Sequence, residues 1–278
     1  MSTRPSRPSR PDRRGAEQPA AAAAVAGAAK AVKPERRAAK AKAAKAAKPK
    51  GPPPALGAEQ LAKTYGDLPA LAPLDLAITA GEAVVLVGHN GSGKTTFLRM
   101  AAGLLEPSGG IATIDGHPAG TLPARAALSF LPDNPTFYDD LSVWEHLEYV
   151  ARLHGMDESW EQRAADLLGH LGIYERGDDL PSRFSRGLRQ KAQLALGLLR
   201  PFAVLCIDEP FVGLDAAGKQ ALLELLDDAH ASGATLVVAT HELDFVRRPT
   251  VTRCVALRDG ELIHDGPPGA VDVLELVG

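Results

Sequence analysis

The eight residues from Gly88 to Thr95 combine glycines, a lysine and a threonine at the spacing GxxxxGK[ST]. An apolar run, residues 83–87, precedes them, and a helix-like segment continues from Thr96. Between a strand and a helix, such glycines let backbone N–H groups point at phosphate oxygens, and the helix adds its positive N-terminus. The alternative is a chance match, but this setting favours a nucleotide-binding loop.

The predicted loop assigns nucleotide contacts to a continuous set of residues. Lys94 is expected to reach the β- and γ-phosphates, and Thr95 to place its hydroxyl on Mg²⁺. The predicted cofactor-binding residues of the loop are Gly88, His89, Asn90, Gly91, Ser92, Gly93, Lys94, Thr95 and Thr96.

Two further apolar runs, residues 203–207 and 235–239, also end in polar groups. Continuous apolar strands are typical of a parallel sheet covered on both faces, and such sheets bind ligands at the carboxyl ends of their strands. We therefore predict that Asp208 holds Mg²⁺, that Glu209 orients or deprotonates the attacking water, and that His241 reaches the γ-phosphate. The alternatives are a solvated acidic pair and a histidine without a role.

The segment before the loop predicts two strands, Ala58–Tyr65 and Ala70–Ile78. Tyr65 lies at the end of the first strand, about 20 residues before the phosphate loop. An aromatic ring there either stacks on the adenine base or belongs to a half-buried strand face. From the residues alone both interpretations stand.

A helical block interrupts the alternation of strands and helices. Ser142 followed by Glu145 is a capping box, and apolar residues then recur at helical spacing. Residues 160–171 and 185–199 predict two more helices, which places a helical subdomain at about 140–200.

Together these elements predict an α/β fold with a P-loop NTPase parallel-sheet core, an N-terminal antiparallel β subdomain and an inserted α-helical subdomain. The predicted domains are a basic Ala/Lys/Pro-rich tail, residues 1–56, and a nucleotide-binding domain, residues 57–278. A hairpin over residues 251–263 and a short helix over residues 270–277 complete the second half.

Charge divides the chain in the same way. The 278 residues carry a net charge of −3, but residues 1–50 hold 14 Lys and Arg against 3 Asp and Glu. Leu, Ile and Phe are absent before Leu56, so we expect the tail to be disordered. An organelle transit peptide and an arm for anionic lipid or nucleic acid are alternatives, although the tail lacks aromatic residues for reading bases.

The remaining composition excludes several classes of protein. Two cysteines imply no disulfide framework and fit a reducing cytosol. The sequence contains no run of about 18 apolar residues, the length that would predict a membrane span. A membrane role would therefore need a partner chain.

From about Ala58 onward the chain resembles the ATPase subunits of ABC transporters. Residues 88–95 are similar to the Walker A motif, and the pair after residue 207 is similar to the Walker B aspartate with its catalytic glutamate. The segment 184–190 lies where the family has its LSGGQ signature, in a form similar to subunits of ABC-2-type exporters. The remaining matches are Tyr65 to the adenine-stacking aromatic, residues 213–215 to the D-loop and His241 to the switch histidine.

The resemblance implies a mechanism and partners. Two nucleotide-binding domains, in a homodimer or heterodimer, would clamp ATP between the Walker A motif of one and the signature helix of the other. Ser185 and Gly187 would then contact the γ-phosphate of the partner's ATP. Closure would drive a membrane-spanning permease on a separate chain, with this subunit peripheral at the cytoplasmic face.

The chain departs from the family pattern in two places, the Q-loop and the signature. Asp133 stands where the Q-loop glutamine is expected; a carboxylate there still binds Mg²⁺ but adds negative charge beside the triphosphate. In the signature the departures are Arg186 and Leu188, of which Arg186 replaces a glycine and adds positive charge near the partner's phosphates.

The favoured hypothesis is the ATPase subunit of an exporter. Two alternatives remain: a soluble ABC-type ATPase that acts on nucleic acid or the ribosome, which the basic tail favours, and a nucleotide-binding scaffold with low turnover, which Asp133 favours.

Overall fold

The structure is a computed structural model that describes residues 52–270. Residues 1–51 and 271–278 lie outside the described part. Most of the predicted tail, residues 1–51, therefore lies outside the described residues. The predicted C-terminal helix also lies outside them, apart from its first residue, Ala270.

The described residues form ten strands and seven α-helices. The strands are β1 (Leu56–Tyr65), β2 (Leu68–Ile78), β3 (Ala83–Val87), β4 (Gly109–Ile114), β5 (His117–Pro118), β6 (Leu128–Leu131), β7 (Val204–Asp208), β8 (Thr235–Ala239), β9 (Arg253–Arg258) and β10 (Glu261–Gly266). The helices are α1 (Lys94–Ala101), α2 (Leu122–Ala127), α3 (Val143–Leu153), α4 (Trp160–His170), α5 (Arg186–Leu199), α6 (Ala216–Ala231) and α7 (Leu243–Val246).

The strands divide into two sheets. The first has the order β2-β1-β4-β5 and is antiparallel throughout. The second has the order β10-β9-β3-β8-β7-β6 and is parallel except for the hairpin strand β10. The predicted parallel core, antiparallel sheet and hairpin are confirmed.

The three central strands are buried along their whole length, as their continuous apolar sequences require. Successive side chains of β3 point to opposite faces: Val85 and Val87 join one core, and Val84 and Leu86 join the other. The first core includes residues of α3, α4 and α5, and the second includes residues of α1 and the antiparallel sheet. The parallel sheet therefore separates two hydrophobic cores.

The capping box at the start of α3 is confirmed. Glu145 donates its backbone N–H to the Ser142 hydroxyl at 3.2 Å, and Ser142 donates its own N–H to the Glu145 carboxylate at 2.9 Å. The two further helices predicted for the block are also present, although Ser185 is the N-cap of α5 and the helix itself begins at Arg186.

Cys206 and Cys254 are both free and buried. Burial raises the pKa of Cys206 to about 12 and that of Cys254 to about 11, so both thiols stay protonated at neutral pH. Within residues 52–270, no helix combines the length and the apolarity needed to cross a bilayer.

Candidate nucleotide-binding site

Three neighbouring strands bring the predicted site residues to one edge of the parallel sheet. Strand β8 lies between β3 and β7, and its last residue, Ala239, is paired with both Leu86 and Asp208. The glycine-rich loop follows β3, Glu209 follows β7, and His241 follows β8. The side chains therefore meet because their strands end in register.

The loop itself depends on a glycine at its first position. Gly88 has a φ of +148°, and a Cβ atom there would lie 2.2 Å from the Leu257 carbonyl oxygen and 2.5 Å from the Ser92 hydroxyl. Any side chain at this position would displace the loop from β9. Ser92 is itself buried, and its hydroxyl has no hydrogen-bond partner among the described residues. The loop thus forms a tight cradle with an unpaired polar group inside it.

Lys94 lies within this cradle. Its ammonium donates to the carbonyl oxygen of Gly88 at 2.6 Å and to that of His89 at 3.3 Å, and it is 4.0 Å from the Glu209 carboxylate. Burial lowers the pKa of Lys94, while the charges of Glu209 and Asp208 oppose that shift. A cation held among carbonyl oxygens is placed to exchange them for phosphate oxygens.

The other loop residues differ in exposure. His89 is within 2.8 Å of the Asn90 carbonyl oxygen and within 3.3 Å of the Asp259 carboxylate, in the turn between β9 and β10. Asn90 and Gly91 are exposed at the tip of the loop. Two half-buried threonines, Thr95 and Thr96, lie in the first turn of α1.

The N-terminus of α1 has no side-chain cap. Its N-cap residue is Gly93, with a φ of +108°, so a glycine satisfies the backbone geometry and contributes no capping oxygen. The first N–H groups of the helix therefore remain available to an anion, and the helix dipole adds positive potential there.

Asp208 is the most buried acid of the site, with 1 % of its surface exposed. Burial raises its pKa; the Thr95 hydroxyl opposes the shift, Asp133 adds to it, and Lys94 opposes it further. Neither carboxylate oxygen has a hydrogen bond of normal geometry to another described residue. A buried carboxylate with both oxygens unsatisfied requires a partner.

This donor set fits Mg²⁺. Within the described part of the chain no three His, Cys, Asp or Glu side chains converge as a metal cage. Mg²⁺ at nucleotide sites usually takes one or two carboxylates and completes its shell with phosphate oxygens and water. Asp208, with the neighbouring Thr95 hydroxyl, supplies ligands of that kind.

Glu209 has a strained backbone. Its φ is +48°, which is uncommon for a residue other than glycine, and its N–H donates to the Ala239 carbonyl oxygen at 2.8 Å. One carboxylate oxygen lies 3.1 Å from Nδ1 of His241. Strain of this type is often retained at functional sites, where it fixes the direction of a side chain.

Tyr65 ends β1 with 54 % of its surface exposed. The Lys63 ammonium lies 5.2 Å from the ring centroid, a distance at which a cation and an aromatic ring attract each other. The ring is therefore accessible to a stacking partner.

Helix α5 is attached to the site by two buried glutamines: Gln190, the last residue of the 184–190 segment, and Gln193, which the sequence analysis did not single out. Gln190 donates to the Pro210 carbonyl oxygen at 3.2 Å, just after Glu209. Gln193 donates to the Pro132 carbonyl oxygen at 2.7 Å, just before Asp133. The signal available in the sequence was a polar residue at a helix position whose neighbours on the same face are apolar.

The N-terminus of α5 lies beside the loop that follows β7. The Ser185 hydroxyl accepts from the Leu188 N–H at 3.4 Å. A Cβ atom on Gly187 would lie 2.4 Å from the Gly213 carbonyl oxygen, so these two segments touch through their backbones.

The fold and this site define a P-loop ATPase domain of the ATP-binding cassette type. The sequence profile of the ABC transporter family matches residues 71–212. The chain belongs to this family, as an ATP-binding subunit, and the predicted fold class and family are confirmed.

Several relatives agree with this assignment. The SkfA peptide export ATP-binding protein SkfE of Bacillus subtilis is 35 % identical over 185 residues, which cover 66 % of this chain and 77 % of SkfE. The ABC-type transporter ATP-binding protein EcsA of the same organism is 35 % identical over 170 residues, which cover 60 % of this chain and 69 % of EcsA.

Solved structures are similar over the same region. An ATP-binding subunit of an ABC transporter superposes with a TM-score of 0.72 at 32 % identity, over 76 % of this chain and 89 % of that one. The ATP-binding cassette MJ0796, solved as a dimer with ADP and phosphate, has a TM-score of 0.70 at 25 % identity, over 77 % and 98 %.

Proposed function

We propose that this chain hydrolyses ATP and that the hydrolysis drives transport by a separate membrane-spanning permease. The convergence of the phosphate cradle, the unsatisfied Asp208 and the Glu209–His241 pair at one sheet edge supports this proposal most directly.

In this proposal each residue of the site has a role that follows from its position. The Gly88–Thr95 cradle, with Thr96, binds the phosphates, Lys94 compensates their charge, and Tyr65 stacks on adenine. Thr95 and Asp208, with Asp133, hold Mg²⁺, which neutralises phosphate charge when bound. Glu209 orients or deprotonates the water, and His241 holds Glu209 and the γ-phosphate in line.

The active unit is a dimer of nucleotide-binding domains. Ser185 and Gly187 lie at a helix N-terminus on a segment that Gly213 holds in place, which suits them to bind the γ-phosphate of the partner domain's ATP. The dimeric structure of MJ0796 supports this arrangement. The dimer consists of two copies of this chain or of this chain and a second cassette.

In this proposal the chain lies at the cytoplasmic face of the membrane, bound to a permease that spans it, and the direction of transport is export. The name of SkfE, a peptide export protein, supports an exporter-type subunit. Residues 1–50 carry 14 basic residues against 3 acidic ones, and this charge suits anionic lipid beside the permease.

The test is isolation of the full chain from detergent-solubilised membranes, beside a Glu209→Gln variant. We expect a multi-spanning protein to co-purify with both chains, and ATP hydrolysis in the wild-type complex to exceed that of the chain alone. Recovery with ribosomes or nucleic acid at physiological salt, without a membrane protein, would instead support a soluble ATPase that acts on nucleic acid or the ribosome.

A further inference from the structure

Two of the positions that depart from the family pattern, Asp133 and Arg186, face each other in the structure. Asp133 follows β6, and Arg186 is the first residue of α5, more than fifty positions later. An Arg186 guanidinium nitrogen lies 3.8 Å from one oxygen of the Asp133 carboxylate. The side chains of Arg186 and Asp133 are 62 % and 39 % exposed, so the pair lies at the protein surface.

Neighbouring contacts hold both members of this pair. A Cβ atom on Gly213 would lie 3.2 and 3.4 Å from Cγ and Cδ of Arg186, so the stem of the arginine rests on the loop after β7. The second oxygen of Asp133 accepts from the Asn134 amide at 3.0 Å. The hydrogen bond from Gln193 to the Pro132 carbonyl oxygen ties α5 to the backbone just before Asp133.

The negative charge of Asp133 adds to the other acidic groups of the proposed nucleotide site. Asp133 raises the pKa of the buried Asp208, which means that its negative charge is felt at the proposed Mg²⁺ ligand. With Glu209, which follows Asp208 in the sequence, the proposed site contains three carboxylates. Lys94 lies near two of them, Glu209 and Asp208, and Arg186 lies near the third.

We propose that Arg186 compensates the charge of Asp133 within one chain, so that a carboxylate can replace the Q-loop glutamine without weakening nucleotide binding. Arg186 is then a positioning residue for the Asp133 carboxylate. This proposal rests on the nucleotide site described under the proposed function. It differs from the expectation that the arginine contributes its charge to the phosphates of the partner domain.

The expected change in nucleotide affinity on removing Arg186 is small, because the ion pair is exposed. Exposed ion pairs contribute little individually, and their energies correspond to about a two- to fivefold change in affinity. Ionic strength screens such pairs, so the effect should shrink between low salt and about 0.5 M salt.

The test is a double-mutant cycle on the full-length protein: Arg186→Gln, Asp133→Asn and the combination. A fluorescent ATP analogue is titrated in EDTA and in Mg²⁺, at protein concentrations where the chain is monomeric. In EDTA we expect Arg186→Gln to weaken binding about two- to fivefold and the added Asp133→Asn to restore it. The matched control is Arg152→Gln, which removes an arginine paired with Glu148 on α3 and should leave binding unchanged.

Additive effects, or unchanged nucleotide affinity in monomeric Arg186→Gln, would overturn the proposal. Unchanged affinity combined with weaker ATP-dependent dimerisation would assign the arginine to the partner's nucleotide. If the wild-type chain bound no nucleotide, the proposed function would fail first and this inference with it. If the wild type binds nucleotide but the cycle shows no coupling between Arg186 and Asp133, the proposed pair is overturned and the proposed function is not.

Discussion

Oε2 of Glu209 lies 3.1 Å from Nδ1 of His241, and this contact joins the ends of the adjacent strands β7 and β8. The glutamate is 16 % exposed and the histidine 59 %, so the pair runs from the interior to the surface. Glu242, next to the histidine, is paired with Lys219 of α6. The segment that carries His241 is therefore held by two contacts, one to Glu209 and one to Lys219 of α6.

His241→Ala tests whether the histidine acts in catalysis. We expect ATP hydrolysis to fall about 10- to 100-fold, because the substitution removes the group proposed to hold Glu209 and the γ-phosphate in line. Nucleotide affinity should change less than threefold, since the phosphate cradle is unaltered.

Steady-state hydrolysis and nucleotide titration separate the two effects. His170→Ala is the control, because that histidine pairs with Glu224 on the surface. A His241→Ala variant that hydrolyses at the wild-type rate would remove the histidine from the mechanism.

Asp208→Asn should make the nucleotide-free protein more stable. The variant removes a buried charge whose oxygens have no hydrogen-bond partner of normal geometry, and we expect the Tm to rise by about 2–4 °C. Stabilisation by Mg²⁺ and ATP together should be lost, because the substitution removes a proposed metal ligand.

The same substitution has a pH dependence with a definite sign. The folded state raises the pKa of Asp208, so its charge destabilises the fold once the pH exceeds the unfolded value of about 4. That destabilisation is complete above the folded pKa. The gain from Asn should be largest above the folded pKa and should shrink as the pH falls toward about 4. Thermal unfolding that gives an equal or lower Tm for the variant at pH 7 would contradict this account.

Gly88→Ala and Gly91→Ala form a matched pair in the phosphate loop. Both glycines have positive φ, but a Cβ atom would collide with the Leu257 carbonyl oxygen and the Ser92 hydroxyl only at the first position. We expect Gly88→Ala to lower the free energy of unfolding by about 2–4 kcal/mol and Gly91→Ala by about 1 kcal/mol. Urea denaturation without nucleotide measures both, and equal losses would mean that the cradle does not need its first glycine.

Gly187→Ala tests the contact between α5 and the loop after β7. The new methyl group would lie 2.4 Å from the Gly213 carbonyl oxygen and should displace the signature segment. We expect ATP-dependent dimerisation to weaken at least tenfold while each monomer still binds nucleotide.

Gly169→Ala is the control for that experiment. Its Cβ atom would meet open space on α4, so the substitution should stabilise the helix by about 0.5–1 kcal/mol. Sedimentation of both variants in a Glu209→Gln background measures the dimer. Dimerisation of Gly187→Ala at the wild-type level would show that the signature segment tolerates the shift.

The elements that the sequence predicted best were those with a strong local pattern. The bare apolar runs became the central strands, and the Ser142–Glu145 capping box began α3. Because parallel strands end at a common edge, these runs also predicted that Lys94, Asp208 and His241 would converge. Helix α2 (Leu122–Ala127) was not predicted, since six residues carry too little periodicity to stand out.

Contacts between distant segments were not predictable from the pattern. The buried Gln193 and the Arg186–Asp133 pair depend on how α5 packs against loops that are far from it in the sequence. The two opposite charges could be recognised separately as departures from the family pattern. Only the packing of the helix brings them together.

The central claim is hydrolysis by a dimer in which Glu209 is the catalytic carboxylate. ATP hydrolysis by the purified chain is measured across protein concentration, beside Glu209→Gln and Asp133→Gln. We expect a rate that rises faster than linearly with concentration in the wild type and is abolished in Glu209→Gln. Asp133→Gln reports separately whether the carboxylate in the Q-loop lowers the rate. A wild-type rate equal to that of Glu209→Gln at every concentration would contradict the claim for this chain on its own.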